Sequence, residues 1–289
     1  MKLRFGIKTA QQHTTYEAIL RVWQEADTVP GIEHACAQDH FIPLGSRPTG
    51  PQLEGWTLLG ALAARTERVR VGLMVTGNTY RHPAILANIA TTVDIISNGR
   101  LDFGIGAAWN EMEHTMYGIP FYTAGERIRR LGEACEVIRL LWTQTRANFN
   151  GKYYQLKDAL CEPKPIQKPY PPFVIGGGGE KLTLRVVAEY ASVWNWNFVG
   201  GDIETFRHKN EVLNGHCAAI GRDPATIERS IQWPINYANV GEAVNDMRPY
   251  IEAGASHIIL NLRAPYPQGI VHKLAGEVVS PLQAEFEGR

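Results

Sequence analysis

The segment Pro83-Ala-Ile-Leu-Ala-Asn-Ile-Ala-Thr-Thr-Val-Asp-Ile-Ile-Ser-Asn-Gly-Arg-Leu-Asp-Phe-Gly-Ile-Gly106 holds a helix start, a helix stop and a strand with almost no spacer. Proline suits the first helical turn, where its missing N–H is not needed. Ile85, Ile89 and Val93 recur on one helical face. Asn98-Gly99 then supplies residues that tolerate the left-handed exit from a helix. The apolar run Leu101 to Gly106 follows at once, short enough for a buried strand. A helix that delivers the chain directly into a buried strand is the repeating unit of a parallel sheet with crossover helices.

The same alternation extends in both directions. Candidate strands lie at Leu3 to Lys8, Ala35 to Asp39, Val69 to Thr76, Leu101 to Gly106, Phe173 to Gly177, Ser192 to Trp196, Ile231 to Tyr237 and Ser256 to Leu262. Helical patterns fill the gaps. Thr14 and Glu17 have the spacing of a capping box ahead of Ala18, Ile19, Val22 and Trp23. Ile128, Leu131, Cys135, Ile138 and Trp142 form a second apolar stripe, and Val244, Met247 and Ile251 a third. A helix with Leu182, Val186 and Val187 is expected after Gly179. Eight such units over 289 residues predict one α/β domain, a closed (β/α)8 TIM barrel, in preference to an open doubly wound sheet. Residues 143–172 break the pattern with a hairpin at Asn148 to Tyr154 and the proline-rich stretch Cys161 to Pro172, and read as an insertion.

Composition narrows the function classes. Twenty-nine basic residues balance 29 acidic ones, so the overall field that drives non-specific nucleic-acid binding is missing. The longest apolar run, Leu58 to Ala64, is interrupted by Gly60 and far too short to cross a bilayer. The segment from Met1 to Ala10 has no signal-peptide features, so a cytoplasmic protein is expected. Four separated cysteines suggest neither a zinc site nor a disulfide framework, only reduced, buried thiols. No metal is expected.

In a barrel of this kind the active site forms where the loops leave the strand ends. Gly176-Gly-Gly-Gly179, between a strand and a helix, would let several backbone N–H groups approach a phosphate; a ligand-free tight turn is the alternative. Asp39-His40 brings a carboxylate and an imidazole to a strand end, where His40 could move a proton or serve structure alone. Glu111, Glu113 and His114 follow the fourth strand, with Glu113 either a buried acid or the polar face of a helix start. Trp109, Trp194 and Trp196 could line a planar ring, although at least one of the last two should fill the core, because alternate strand residues point to opposite sides.

With these residues in view, the chain resembles the luciferase-like monooxygenase superfamily, and more closely its branch of oxidoreductases dependent on the deazaflavin coenzyme F420. The likeness is carried by Gln38 to Phe41, Val75 to Pro83, Asn98 to Glu111, Cys161 to Pro165 and Ile175 to Lys181. It implies a TIM barrel with insertion segments at its C-terminal face, a flavin-like ring near the barrel axis and a homodimer. It also implies roles: His40 as a catalytic group, with Glu113 taken as the substitute for the glutamate that some relatives carry at the position of Trp109, and Asp39, Met74, Val75, Thr76, Gly106, Ala107, Ala108, Asn110, Gly176, Gly177, Gly178 and Gly179 as cofactor contacts. A non-proline cis peptide is implied at Leu73-Met74 or Met74-Val75. The chain departs from some relatives at Trp109, where they have a glutamate, and at Ala107-Ala108, where Ala-Gly is more usual.

The expected activity is hydride transfer between F420 and a small organic substrate. The alternatives are a reduced-FMN monooxygenase of the same superfamily and a non-catalytic flavin- or deazaflavin-binding protein. The substrate lining is expected from the loop after His40, the region after Asn110, and residues 143–172.

Overall fold

The computed structural model describes residues 2–45, 47–197 and 202–286. Eight parallel strands close into a TIM barrel in the order β3 (Arg70–Leu73), β2 (His34–Ala37), β1 (Arg4–Thr9), β11 (Ala255–Leu262), β10 (Glu228–Pro234), β9 (Val193–Asn197), β8 (Phe173–Gly176) and β5 (Leu101–Gly106), with β3 pairing to β5. The third strand is interrupted by a cis peptide at Met74-Val75 and resumes as β4 (Thr76–Gly77). The expected single run Val69 to Thr76 is therefore two pieces around a bulge.

Helices α1 (Tyr16–Thr28), α2 (Gly55–Ala63), α3 (Pro83–Ile96), α4 (Glu111–Met116), α5 (Ala124–Thr143), α6 (Thr183–Tyr190), α7 (Ile203–Ala219) and α8 (Glu242–Glu252) connect the strands. The chain closes on α9 (Ile270–Leu274) and α10 (Ser280–Phe286). Thr15, not Thr14, caps α1 by accepting from the Ala18 N–H. Pro83 opens α3 as expected, and Asn98 and Gly99 both take positive φ after it. The buried side of α3 is Leu86, Ala90 and Val93, while Ile85 is 59% exposed. This helix is apolar almost all round, so periodicity alone left its inner face ambiguous. Leu182 precedes α6 as its cap residue and lies outside the helix.

The hairpin is formed by β6 (Ala147–Asn150) and β7 (Gln155–Ala159). Its Tyr154 ring packs edge-on against His82, the N-cap residue of α3. The Glu133 carboxylate on α5 accepts from the N–H groups of Lys152, Tyr153 and Tyr154, and Arg130 stacks 4.6 Å over the Tyr153 ring. These contacts fasten it to the outside of α5. The loops at the barrel mouth are those after β1, β2, β4, β5 and β11.

Strand alternation sorts the barrel lumen into layers. The lowest is charged: Arg4, His34, Arg70, Asp102 and Glu228 pair with one another, and His34 Nδ1 lies 3.3 Å from His257 Nε2. Above it sits a small apolar plug of Cys36, Met74, Val174, Val193 and Ile259. Glycines allow the strands to close this tightly. At Gly104 an added Cβ would fall inside contact distance of the Leu73 carbonyl oxygen. The third layer is polar and forms the floor of a cavity.

Candidate active site

That cavity, about 890 Å³, opens at the C-terminal ends of the strands. Its volume lies in the range of cofactor and ligand sites. One wall is made by the bulge at Met74-Val75 and the glycines beside it. A Cβ on Gly106 or Gly176 would sit 2.9 Å from Val75 Cγ2, so both glycines make room for the Val75 side chain. Ala107 and Ala108 continue this wall, Ala108 with φ +56°.

Asp39 and Thr76 are locked into the same wall. Arg81 grips both Asp39 oxygens, at 2.6 and 3.0 Å, and reaches Glu54 at 2.5 Å. Thr76 donates to Asp39 and accepts from Trp56 Nε1 at 3.2 Å. Planar bidentate pairing of this kind fixes orientation as well as charge. Burial works against the charge of Arg81, but Asp39 and Glu54 more than offset it and hold the guanidinium above its ordinary value.

His40 follows Asp39 and faces the cavity, with its ring edge-on to Trp109 at 5.7 Å between centroids. Glu113 stands behind it, fully buried. Its Oε2 accepts from His40 Nδ1 and from the Tyr80 hydroxyl, each at 2.8 Å, and its Oε1 accepts from the N–H groups of Phe41 and Ile42. Burial opposes ionisation of Glu113, yet the hydrogen bonds and charge of His40, with Tyr80 and Phe41, hold its carboxyl below the usual value. An ionised Glu113 can only accept, so His40 carries a proton on Nδ1, and its other ring nitrogen, Nε2, is left for the cavity. Glu113 thus orients His40 and does not itself line the cavity. Burial and the adjacent Glu113 also push the Tyr80 hydroxyl upward, keeping it a donor.

The glycine turn meets the cavity at Gly176 and Gly177, with Thr183 at the start of α6 beside them. Gly177 has φ +124°, which a side chain would strain, and its N–H bonds to the Asn195 carbonyl. Gly178 and Gly179 stand outside the lining. A Cβ there would press on Trp196 and on the Thr183 hydroxyl. Their N–H groups have no partner among the described residues. Asn110, expected as a cofactor contact, instead caps α4 through the Glu113 N–H. Trp194 and Trp196 are both buried against Phe206 of α7, so the core reading applies to both. No residue from 143 to 172 lines the cavity, because the hairpin is held on the outer face of α5.

The floor was not singled out from the sequence. Lys8 of β1 donates to Gln232 Oε1 of β10, Gln232 donates to Asn195 Oδ1 of β9 at 2.7 Å, and Asn195 donates to Ser230 Oγ at 2.9 Å. Burial pulls the Lys8 ammonium down to about 8, with Cys36 opposing and Arg263 adding to the effect. Asn261 Oδ1, beside them, is buried with no hydrogen-bond partner. The available signal was alternation in β1: Phe5 and Ile7 are core residues, which leaves Lys8 facing inward.

A closed barrel with a bulged third strand, a histidine backed by a buried glutamate and a glycine turn at the fifth strand end define a luciferase-like oxidoreductase. The chain belongs to the luciferase-like monooxygenase family, whose model matches residues 2–280. It is 31% identical over 243 residues to an F420-dependent glucose-6-phosphate dehydrogenase of Amycolatopsis mediterranei, covering 81% of this chain and 69% of that protein. The corresponding dehydrogenase of Segniliparus rotundus is 34% identical, over 72% of this chain and 61% of its own length. An FMNH(2)-dependent dimethylsulfone monooxygenase of Pseudomonas putida is 29% identical, over 83% and 66%. Among solved structures, an F420-dependent secondary alcohol dehydrogenase superposes with a TM-score of 0.84 at 18% identity, covering 96% of this chain and 98% of that one.

Proposed function

We propose that this protein transfers a hydride between coenzyme F420 and a small organic substrate, with His40 carrying the accompanying proton. The observation behind the reading is the His40–Glu113 pair at the cavity wall. Relatives named as F420-dependent at 31% and 34% identity support the cofactor. The residues present fit such a group. The Met74-Val75 bulge would back a flat ring, and the free N–H groups of Gly178 and Gly179 suit a phosphate at the edge of the cavity. The deazaflavin, when bound, supplies hydride chemistry that no side chain can perform.

The remaining work falls to the protein. Arg81 and Thr76 keep Asp39 rigid beside the cofactor wall, Glu113 keeps His40 Nε2 toward the cavity, and the Trp109 ring packs edge-on against the imidazole. His40 Nε2 takes a proton from a substrate hydroxyl as the carbon is oxidised, or holds the proton delivered in the reverse direction. A His40→Ala variant should lose turnover by about 10²–10⁴-fold with its F420 affinity nearly intact. An equal loss of binding, or no loss of turnover, would remove His40 from this role.

The monooxygenase relative favours a second reading, in which reduced FMN occupies the same cavity and oxygen is consumed. Oxygen uptake with reduced FMN and a substrate panel separates the two. Oxygen-independent substrate conversion with F420 supports hydride transfer, and substrate-dependent oxygen uptake with FMN overturns it.

A further inference from the structure

The cavity has two unlike halves. The side built from β4, β5 and β8 is the bulge, the glycines and the alanines. The opposite side, from β9, β10, β11 and β1, is hydrogen-bonding: Asn195, Gln232, Asn261 and Lys8. Its charge inventory is lopsided in a chain whose total is zero. Among the described residues the only acid in the lining is Asp39, already paired with Arg81 on the far wall.

Among the described residues Lys8 therefore has no counter-ion. Its Nζ contacts a neutral amide oxygen of Gln232, and the titratable or charged groups that face it are the Cys36 thiol of β2 and the Arg263 guanidinium after β11. From β11, β10 and β9 the nearby groups are the amides of Asn261, Gln232 and Asn195. Burial drives the Cys36 thiol upward, so it stays neutral. Arg263 also lines the cavity, and its guanidinium has no partner among the described residues. Arg263 is exposed to solvent, whereas Lys8 is partly desolvated, and a desolvated ammonium without a counter-ion is costly until an anion completes it. Asn261 Oδ1 is the complementary defect: a buried acceptor that lacks a donor.

We propose that Lys8, Arg263 and Asn261 form a subsite for a hydroxylated organic anion, in which Lys8 and Arg263 hold a carboxylate or phosphate oxygen and Asn261 accepts from a substrate hydroxyl. The inference rests on the reading of this cavity as a substrate site and narrows the substrate to hydroxy acids or hydroxylated phosphate esters. An alkane leaves both defects unfilled, and a neutral alcohol fills only the one at Asn261.

Because burial pulls the Lys8 ammonium down to about 8, an anion that requires the ammonium draws a fraction of a proton per site from solution near that pH. The test uses the cofactor-free protein with glycolate, acetate and inorganic phosphate, by calorimetry at pH 8 in two buffers of different ionisation enthalpy. Glycolate is expected to bind about tenfold more tightly than acetate, the effect of one added hydrogen bond. Lys8→Met should abolish the proton uptake, and Asn261→Leu should erase the preference for glycolate while retaining the uptake.

Binding of phosphate with uptake, and of neither carboxylate, supports the subsite and assigns it to phosphate esters. Anion binding that Lys8→Met leaves unchanged, or no binding at all, overturns it. Anion binding that F420 displaces in strict competition also overturns it, because Lys8 then serves the anionic groups of the cofactor. An F420 titration of the same preparation keeps the two failures apart: normal cofactor binding without an anion site sinks the subsite alone.

Discussion

Replacing Glu113 by glutamine keeps the shape of the side chain and reverses half of its hydrogen bonding. In the native protein four donors converge on the carboxylate: His40 Nδ1, the Tyr80 hydroxyl and the N–H groups of Phe41 and Ile42. Glutamine can present its oxygen to the two backbone N–H groups. Its amide nitrogen then faces His40 and Tyr80, where only acceptors are tolerated. The imidazole must move its proton from Nδ1 to Nε2, and the cavity receives an N–H in place of a lone pair. Losing one charge-assisted hydrogen bond costs about 2 kcal/mol. At roughly 2.1 cal/mol/K per residue, 289 residues give an unfolding entropy near 0.6 kcal/mol/K, so Tm should fall by only about 3 °C. Turnover, which needs the lone pair, should fall by about 10²–10⁴-fold. The direct assay is the tautomer itself, read from long-range proton–nitrogen correlations of ¹⁵N-histidine-labelled protein, with His40→Asn to assign the signal. Native His40 protonated on Nε2, or an unchanged tautomer in Glu113→Gln, refutes the reasoning.

Arg81→Met leaves Asp39 buried beside Glu54 without its cation and should destabilise the fold by about 3 kcal/mol, read as a lower urea midpoint. His34 is held down to about 4 by burial, opposed by Asp102, against 6.5 for a free histidine. A depressed histidine resists protonation in the folded state, so its contribution is complete above pH 6.5 and lost as pH falls toward 4. That loss amounts to about 2 kcal/mol by pH 5, and His34→Gln should flatten the urea-midpoint profile over this window. Gly104→Ala forces a methyl against the Leu73 carbonyl oxygen next to the bulge, and should leave little folded protein by circular dichroism, whereas Gly276→Ala, with open space around it, should be neutral.

The eight strands were legible because a strand covered by helices on its outer face reads as an apolar run, as Phe103 and Ile105 in β5 or Phe173 and Ile175 in β8 illustrate. The expected ends missed mainly where local chemistry overrode the pattern. At Met74-Val75 the chain turns through a cis bond inside what reads as one strand. At Thr14 and Thr15 two adjacent capping residues compete, and the one that reaches the Ala18 N–H caps the helix. The inner side of the barrel was much harder to read. Lys8, Asn195, Gln232 and Asn261 stand on four strands far apart in sequence, and only closure of the barrel brings them onto one floor. Glu113 was visible as a candidate, but its place behind His40 depends on a long-range contact between α4 and the loop after β2.

Which cofactor the cavity selects is decided by titration of the purified protein with oxidised F420 and, in parallel, FMN, followed by fluorescence and calorimetry at one pH and salt concentration. Preferential F420 binding at about micromolar or tighter dissociation constant is the expected result. Preferential FMN binding, or binding of neither, contradicts it.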